Sequence, residues 1–94
     1  MIYKWDYKYS EEGDFFYHDW EDMLGGDTML GEPTPTALDC PGLTFGSVVT
    51  TGTITKIFIS GGTPTPLARV KLSVNTAAGR VPLVSVIGLP VLPA

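Results

Sequence analysis

Turn-forming residues recur so closely along this chain that no helix of ordinary length fits between them, and what remains is a series of short extended segments. Eleven glycines and eight prolines punctuate 94 residues. Proline cannot donate to a central β-ladder and glycine supplies the positive φ of tight turns, so their positions mark where strands stop. A turn at Ser10 to Gly13 precedes a strand over Asp14 to Trp20. Glu21 to Leu24 then reads as a single helical turn stopped by Gly25-Gly26. Asp27-Thr28-Met29-Leu30 restarts the chain as strand. Glu32 to Gly42, which holds Pro33, Pro35 and Pro41, reads as an edge strand or an extended connection. Strands follow over Leu43 to Val49 and Ile54 to Ser60, with a strong turn at Gly61-Gly62-Thr63-Pro64. Val70, Leu72 and Val74 alternate with Lys71 and Ser73, Asn75 to Arg80 form a loop, and Val81 to Ile87 return as the second arm of a hairpin. About seven short strands and one helical turn describe an all-β sandwich.

A chain of this length makes one domain with one modest core. We expect the sandwich over residues 10–87, an aromatic N-terminal arm or edge strand over 1–9, and a Pro-containing extended C-terminal tail over 88–94. The single cysteine, Cys40, has no intramolecular disulfide partner, so packing must hold the fold. Met1-Ile2-Tyr3-Lys4-Trp5-Asp6 carries no signal-peptide pattern. The apolar end from Val81 to Ala94 is shorter than the roughly 20 residues of a spanning helix and holds Pro82, Pro90 and Pro93. No membrane insertion is expected.

Charge and aromatic residues are both segregated. All ten acidic residues lie between Asp6 and Asp39; with Lys4 and Lys8 they give residues 1–40 a charge of −8, whereas Lys56, Arg69, Lys71 and Arg80 give residues 41–94 a charge of +4. Within one molecule this split predicts pairing between the halves. Between copies it predicts head-to-tail contacts that close into a homo-oligomeric ring. The acidic half argues against nucleic acid, whose phosphates call for clustered Lys and Arg. Eight of ten aromatics fall in the first twenty residues. Tyr3, Trp5, Tyr7 and Tyr9 alternate with Lys4, Asp6 and Lys8, which predicts four rings on one face of a strand. That ladder either covers the domain's own core or docks on a neighbour. The charge-free stretch carrying Leu89, Val91 and Leu92 is the second partner-binding candidate, extended by Pro90 and Pro93.

The residues offer little for catalysis. His18, Asp19, Glu21 and Asp22 form the one dense ionisable cluster. On a strand, His18 and Asp19 point to opposite faces, and no second imidazole or thiolate stands at metal-ligand spacing. The cluster reads as surface charge. Cys40 has no histidine of its own to activate it, and Gly61-Gly62 lacks the Gly-Lys-Ser/Thr continuation of a phosphate loop. No catalytic residue, metal ligand or cofactor-binding residue can be nominated, and we expect a protein that is not an enzyme.

One ordered set of residues resembles a known family. It runs through Lys8, Glu12, Tyr17-His18-Asp19-Trp20, Leu24 and Gly26-Asp27-Thr28, continues in Pro41-Gly42-Leu43-Thr44 and Ile59-Ser60-Gly61-Gly62-Thr63, and ends in Thr76, Gly79-Arg80 and Ser85. The set is similar to the phage fibre-tail adaptor family over about four fifths of the chain. The resemblance implies an immunoglobulin-like β-sandwich and a structural part of a bacteriophage virion, made in the host cytoplasm. Its implied partners are other virion proteins at the tail, neck, portal-adaptor or fibre, and it implies no cofactor. Copies decorating a capsid, or a host-glycan-binding module using the Tyr3 to Tyr9 rings, are the alternatives. The aromatic start and Pro-rich end are particular to this chain.

The motif residues themselves read as fold-building. Trp20 and Leu24, four apart, plug one end of the sandwich with Tyr17 beside them. Asp19 belongs to the same motif, Asp27 accepts turn amides after Gly26, and Gly61, Gly62 and Gly79 suit positive φ. Arg80 pairs with a carboxylate of the acidic half.

Overall fold

The computed structural model describes residues 3–94; Met1 and Ile2, at the start of the 1–9 arm expected from the sequence, lie outside the described residues. The elements are β1 (Tyr3–Lys4), β2 (Lys8–Tyr9), β3 (Gly13–Asp19), α1 (Glu21–Leu24), β4 (Thr34–Ala37), β5 (Leu43–Thr51), β6 (Ile54–Gly61), β7 (Thr65–Val74) and β8 (Leu83–Leu92). They form two sheets. One runs β3-β6-β5; the other runs β1-β8-β7-β4, with β2 also on β8. Taking β3 as strand B, the strands β3 to β8 fall into B-E-D and C-F-G sheets, the order of an immunoglobulin-type sandwich. The fold is all-β with one short helical turn.

The core comes from the inward set of each strand. Ala68, Val70, Leu72 and Val74 of β7 alternate with outward residues, and Ile57 and Ile59 of β6 face them across the sandwich with Phe16 of β3. Trp20 and Leu24 close one end, with the Leu24 N–H donating to the Trp20 carbonyl at 2.8 Å. The Trp20 indole donates to Thr55 Oγ1 at 2.9 Å, so its one polar atom is satisfied inside. β4 is an edge strand in which Pro35 stands opposite Leu72 of β7.

Two expectations need correction here. Asp27 to Leu30 is not a strand: Met29 makes only an isolated bridge to Thr76. The Asp27 side chain takes up the Thr28 and Ala78 amides, and Gly31, at φ 93°, then turns the chain away. The C-terminal stretch is likewise no free tail, because β8 continues to Leu92 with Leu89 and Val91 in the core.

Pro90 shapes the sheet around it. It lies within β8, between β7 and the N-terminal arm, where its missing N–H would interrupt a regular ladder. Both neighbours bulge past it. β7 takes three steps from Thr65 to Ala68 while β8 takes two from Val91 to Leu89. The arm takes four steps from Lys4 to Lys8 while β8 takes three from Gly88 to Val91.

The extra residue in the arm reverses its facing, since a one-residue slip moves side chains to the opposite side of a sheet. Tyr3 and Trp5 pack against the core, whereas Tyr7 and Tyr9 are exposed and Lys8 is buried between them. The expected ladder of four rings is therefore split two and two.

Side chains also occupy both outer edges of the smaller sheet. On β3, the Trp5 indole N–H donates to the Tyr17 carbonyl at 2.7 Å and the Phe15 N–H donates to Asp14 Oδ1 at 2.7 Å. On β5, the Thr50 N–H donates to the Glu32 carboxylate at 2.9 Å.

Candidate functional site

The outer face of the β3-β6-β5 sheet carries a cluster of rings that the sequence analysis did not single out. Strand alternation turns Phe15 and Tyr17 of β3 outward while Phe16 and His18 face in. Register places Phe15 opposite Phe58 and Tyr17 opposite Lys56. The Phe15 and Phe58 rings meet edge to face at 5.1 Å, and Lys56 Nζ lies 4.2 Å from the Phe15 ring centroid. Gly13 and Gly46 flank Phe58 for a steric reason: a Cβ on Gly13 would stand 2.7 Å from Phe58 Cζ, and one on Gly46 3.0 Å from Phe58 Cδ2. Phe15 stays 43% exposed and Tyr17 56% exposed. The outward phase of Phe15 and Tyr17 comes from the pairing of β3, and the β3-β6 register brings Phe58 beside them.

Beside this face, a cleft of about 320 Å³ opens between the arm and the end of β3, bounded by Trp5, Tyr17, His18, Glu21 and Asp22. Asp19 lies in its wall. Its Oδ1 accepts the Glu21 N–H at 3.0 Å and the Thr53 hydroxyl at 2.9 Å, and these bonds, the Glu21 amide foremost, hold its pKa below the ordinary carboxylate value. His18 is 4% exposed, between the edges of Tyr3 and Trp20 with ring centroids 4.8 Å from each. It is therefore not the surface charge expected from the sequence. Burial lowers its pKa against the opposing pull of Asp19, so the neutral ring is favoured, and Nε2 has no hydrogen-bond partner.

The partner-binding candidates separate into two groups. Tyr7 and Tyr9 are exposed, with their rings edge to face at 5.5 Å. Tyr3 and Trp5 are half-buried; Trp5 packs on Phe16 at 5.3 Å. Leu89 and Val91 have no exposed surface to offer, and Leu92 is half-buried at the end of β8.

Asp27 ties the segment after α1 to the β7–β8 loop: its Oδ1 accepts Thr28 N–H at 2.8 Å and Ala78 N–H at 2.9 Å, while Oδ2 faces Arg80 Nε at 3.7 Å. Arg80 Nη1 also donates to the Met23 carbonyl at 2.6 Å. The Thr76 hydroxyl first, and then these amides and the guanidinium, hold the Asp27 pKa low. Gly26, Gly61, Gly62 and Gly79 all have positive φ. Tyr17 departs from the expectation: it does not sit beside Trp20 in the plug but points out from the opposite face.

Lys8 has a structural place that its motif position did not suggest. Its side chain is fully buried, and Nζ donates to the Tyr9 and Gly61 carbonyls at 2.6 Å each. Burial lowers its pKa, against the opposing influence of Glu12 and Cys40. Cys40 is a free, buried thiol whose Sγ lies 3.4 Å from the Thr63 carbonyl.

Among the described residues no three His, Cys, Asp or Glu side chains come together as a metal site, and no helix is long and apolar enough to cross a membrane. The arrangement offers exposed rings, a row of carboxylates and hydrogen-bonding groups at the surface of a rigid sandwich, which suits recognition of another protein. No curated protein matches the chain. A family model described as podophage GP4 fiber-tail adaptor protein gp77 matches residues 8–87, from the buried Lys8 to the inward Ile87, and the chain belongs to that family of phage structural adaptors.

Proposed function

We propose that this protein joins the tail or neck of a podophage particle to its fibres through protein–protein contacts, as a homo-oligomeric ring in the virion. The observation that carries this reading is the outward aromatic face of Phe15, Tyr17 and Phe58, kept open by Gly13 and Gly46, on a chain matched by the adaptor family over 8–87. Exposed aromatics of this kind serve as anchors at protein interfaces. The ring is supported by the unequal charge of the two chain halves. Three basic residues are already used inside the molecule: Lys8 on the Tyr9 and Gly61 carbonyls, Arg69 at Asp39 at 2.8 Å and Arg80 at Asp27 at 3.7 Å. Lys4, Lys56 and Lys71 remain for a contact between copies.

Particles assembled without this protein test the reading. Intact heads and tails that lack fibres are expected. Fibre-bearing particles with weakened capsids would instead favour a decoration role. Ring formation is read from the sedimentation of the isolated protein. Self-association that strengthens at about 0.5 M salt, where the screening length is well under 10 Å, is the opposite of what an electrostatic contact requires.

A further inference from the structure

We propose that the cleft between the N-terminal arm and the end of β3 is a socket for one arginine side chain of a neighbouring virion protein. The inference rests on the protein-docking reading above and names the chemistry of the docked group.

The acidic cluster alone would not support this. A second observation points to a ligand: His18, 4% exposed, borders the cleft and its Nε2 has no hydrogen-bond partner. Unpaired buried polar atoms are uncommon in folded proteins. The walls suit a flat cation. Trp5 and Tyr17 supply rings, and Glu21 and Asp22 supply carboxylates with no ion pair of their own among the described residues. Asp19 and Lys4 also border the cleft, so three carboxylates face one ammonium and the lining keeps a net negative charge. A volume of about 320 Å³ admits a single side chain but not a helix or strand.

Guanidinium fits better than ammonium, because it stacks on aromatic planes and bonds carboxylates through two parallel N–H groups. Both arginines of this chain already meet carboxylates of their own molecule, Arg69 at Asp39 and Arg80 at Asp27. The incoming residue is therefore assigned to a different protein. Tyr17 belongs both to the cleft and to the aromatic face, so apolar residues flanking that arginine would lie on Phe15 and Phe58.

The test uses the full chain, isotope-labelled, and titrates it with N-acetyl-arginine methylamide or its lysine counterpart. The arginine compound is expected to shift the Trp5 indole and His18 ring signals saturably, and the lysine compound to bind more weakly. The double variant Glu21→Gln, Asp22→Asn should weaken the arginine response about tenfold, while Glu11→Gln, outside the cleft, should leave it unchanged. Equal responses to both compounds, a response that never saturates, or one indifferent to the double variant overturns the proposal. If any of these occurs while the protein still joins fibres to particles, the adaptor role stands and only the socket falls.

Discussion

Lys8 Nζ donates to the carbonyl oxygen of Gly61 at 2.6 Å, joining the N-terminal arm to the β6–β7 corner through a fully buried side chain. The corner is tightly built, since a Cβ on Gly61 would stand 2.6 Å from the Gly42 carbonyl oxygen and one on Gly62 3.3 Å from Cys40 Sγ. Lys8→Ala removes both the buried methylenes and the donor to two carbonyls. A loss of about 2–4 kcal/mol in urea unfolding is expected, with Lys8→Met losing less because it keeps the packing. Equal stability of all three proteins would contradict this role for Lys8.

His18 makes stability depend on pH in a defined direction. Its folded-state pKa is lowered from 6.5 by burial, so the unfolded chain binds the proton more readily. Stability is full above the unfolded value, falls as pH drops through 6.5, and levels off below the folded value. The contributions of Asp19, Asp27 and Asp39, all lowered from 3.8, disappear only in more acidic solution. Melting temperatures measured from pH 8 to pH 5 should decline for the native protein and stay nearly flat for His18→Gln.

Asp27→Ala separates the segment after α1 from the β7–β8 loop by removing the acceptor of two amides and the partner of Arg80. The melting temperature should fall by about 4–8 °C. Asp14→Ala, whose side chain bonds only the adjacent Phe15 amide, should change it far less.

The double substitution Phe15→Ser, Tyr17→Ser targets the outward rings while leaving Phe16 and His18 inside. We expect native-like melting and loss of incorporation into particles. Incorporation at the normal level would move the docking surface elsewhere, with Tyr7 and Tyr9 the next exposed pair.

Removing residues 1–8 takes away Tyr3, Trp5 and Lys8, all of which pack into the sandwich, so the truncated chain should lose cooperative melting. A clean transition at the native temperature would show that the arm is dispensable to the fold.

The strands were legible where alternation and turn residues agree. In β7, Val70, Leu72 and Val74 face inward as their spacing predicts, and α1 occupies Glu21–Leu24 as read. The arm was misread because its alternation is unbroken from Tyr3 to Tyr9, while the reversal of facing comes from how it pairs with β8. Pro90 carried the missing signal. Read as the mark of an extended tail, it is a proline inside a central strand, a position that calls for a bulge nearby. The aromatic face was half legible: Phe15 and Tyr17 share a phase, but Phe58 lies far along the chain and meets them only through register. Nothing in the sequence indicated that the segment after Tyr17 would frame a cleft, since that depends on where Trp5 comes to rest.

The Trp5 bond to the Tyr17 carbonyl and the Glu32 bond to the Thr50 amide have a consequence for the ring proposed above, in which copies would stand side by side. Open sheet edges invite identical strands to add without limit, the route to fibrous aggregates. With its edge amides and carbonyls partly occupied from within, the smaller sheet resists that runaway growth and is left to associate through its face, where contacts are finite and side chains choose the partner.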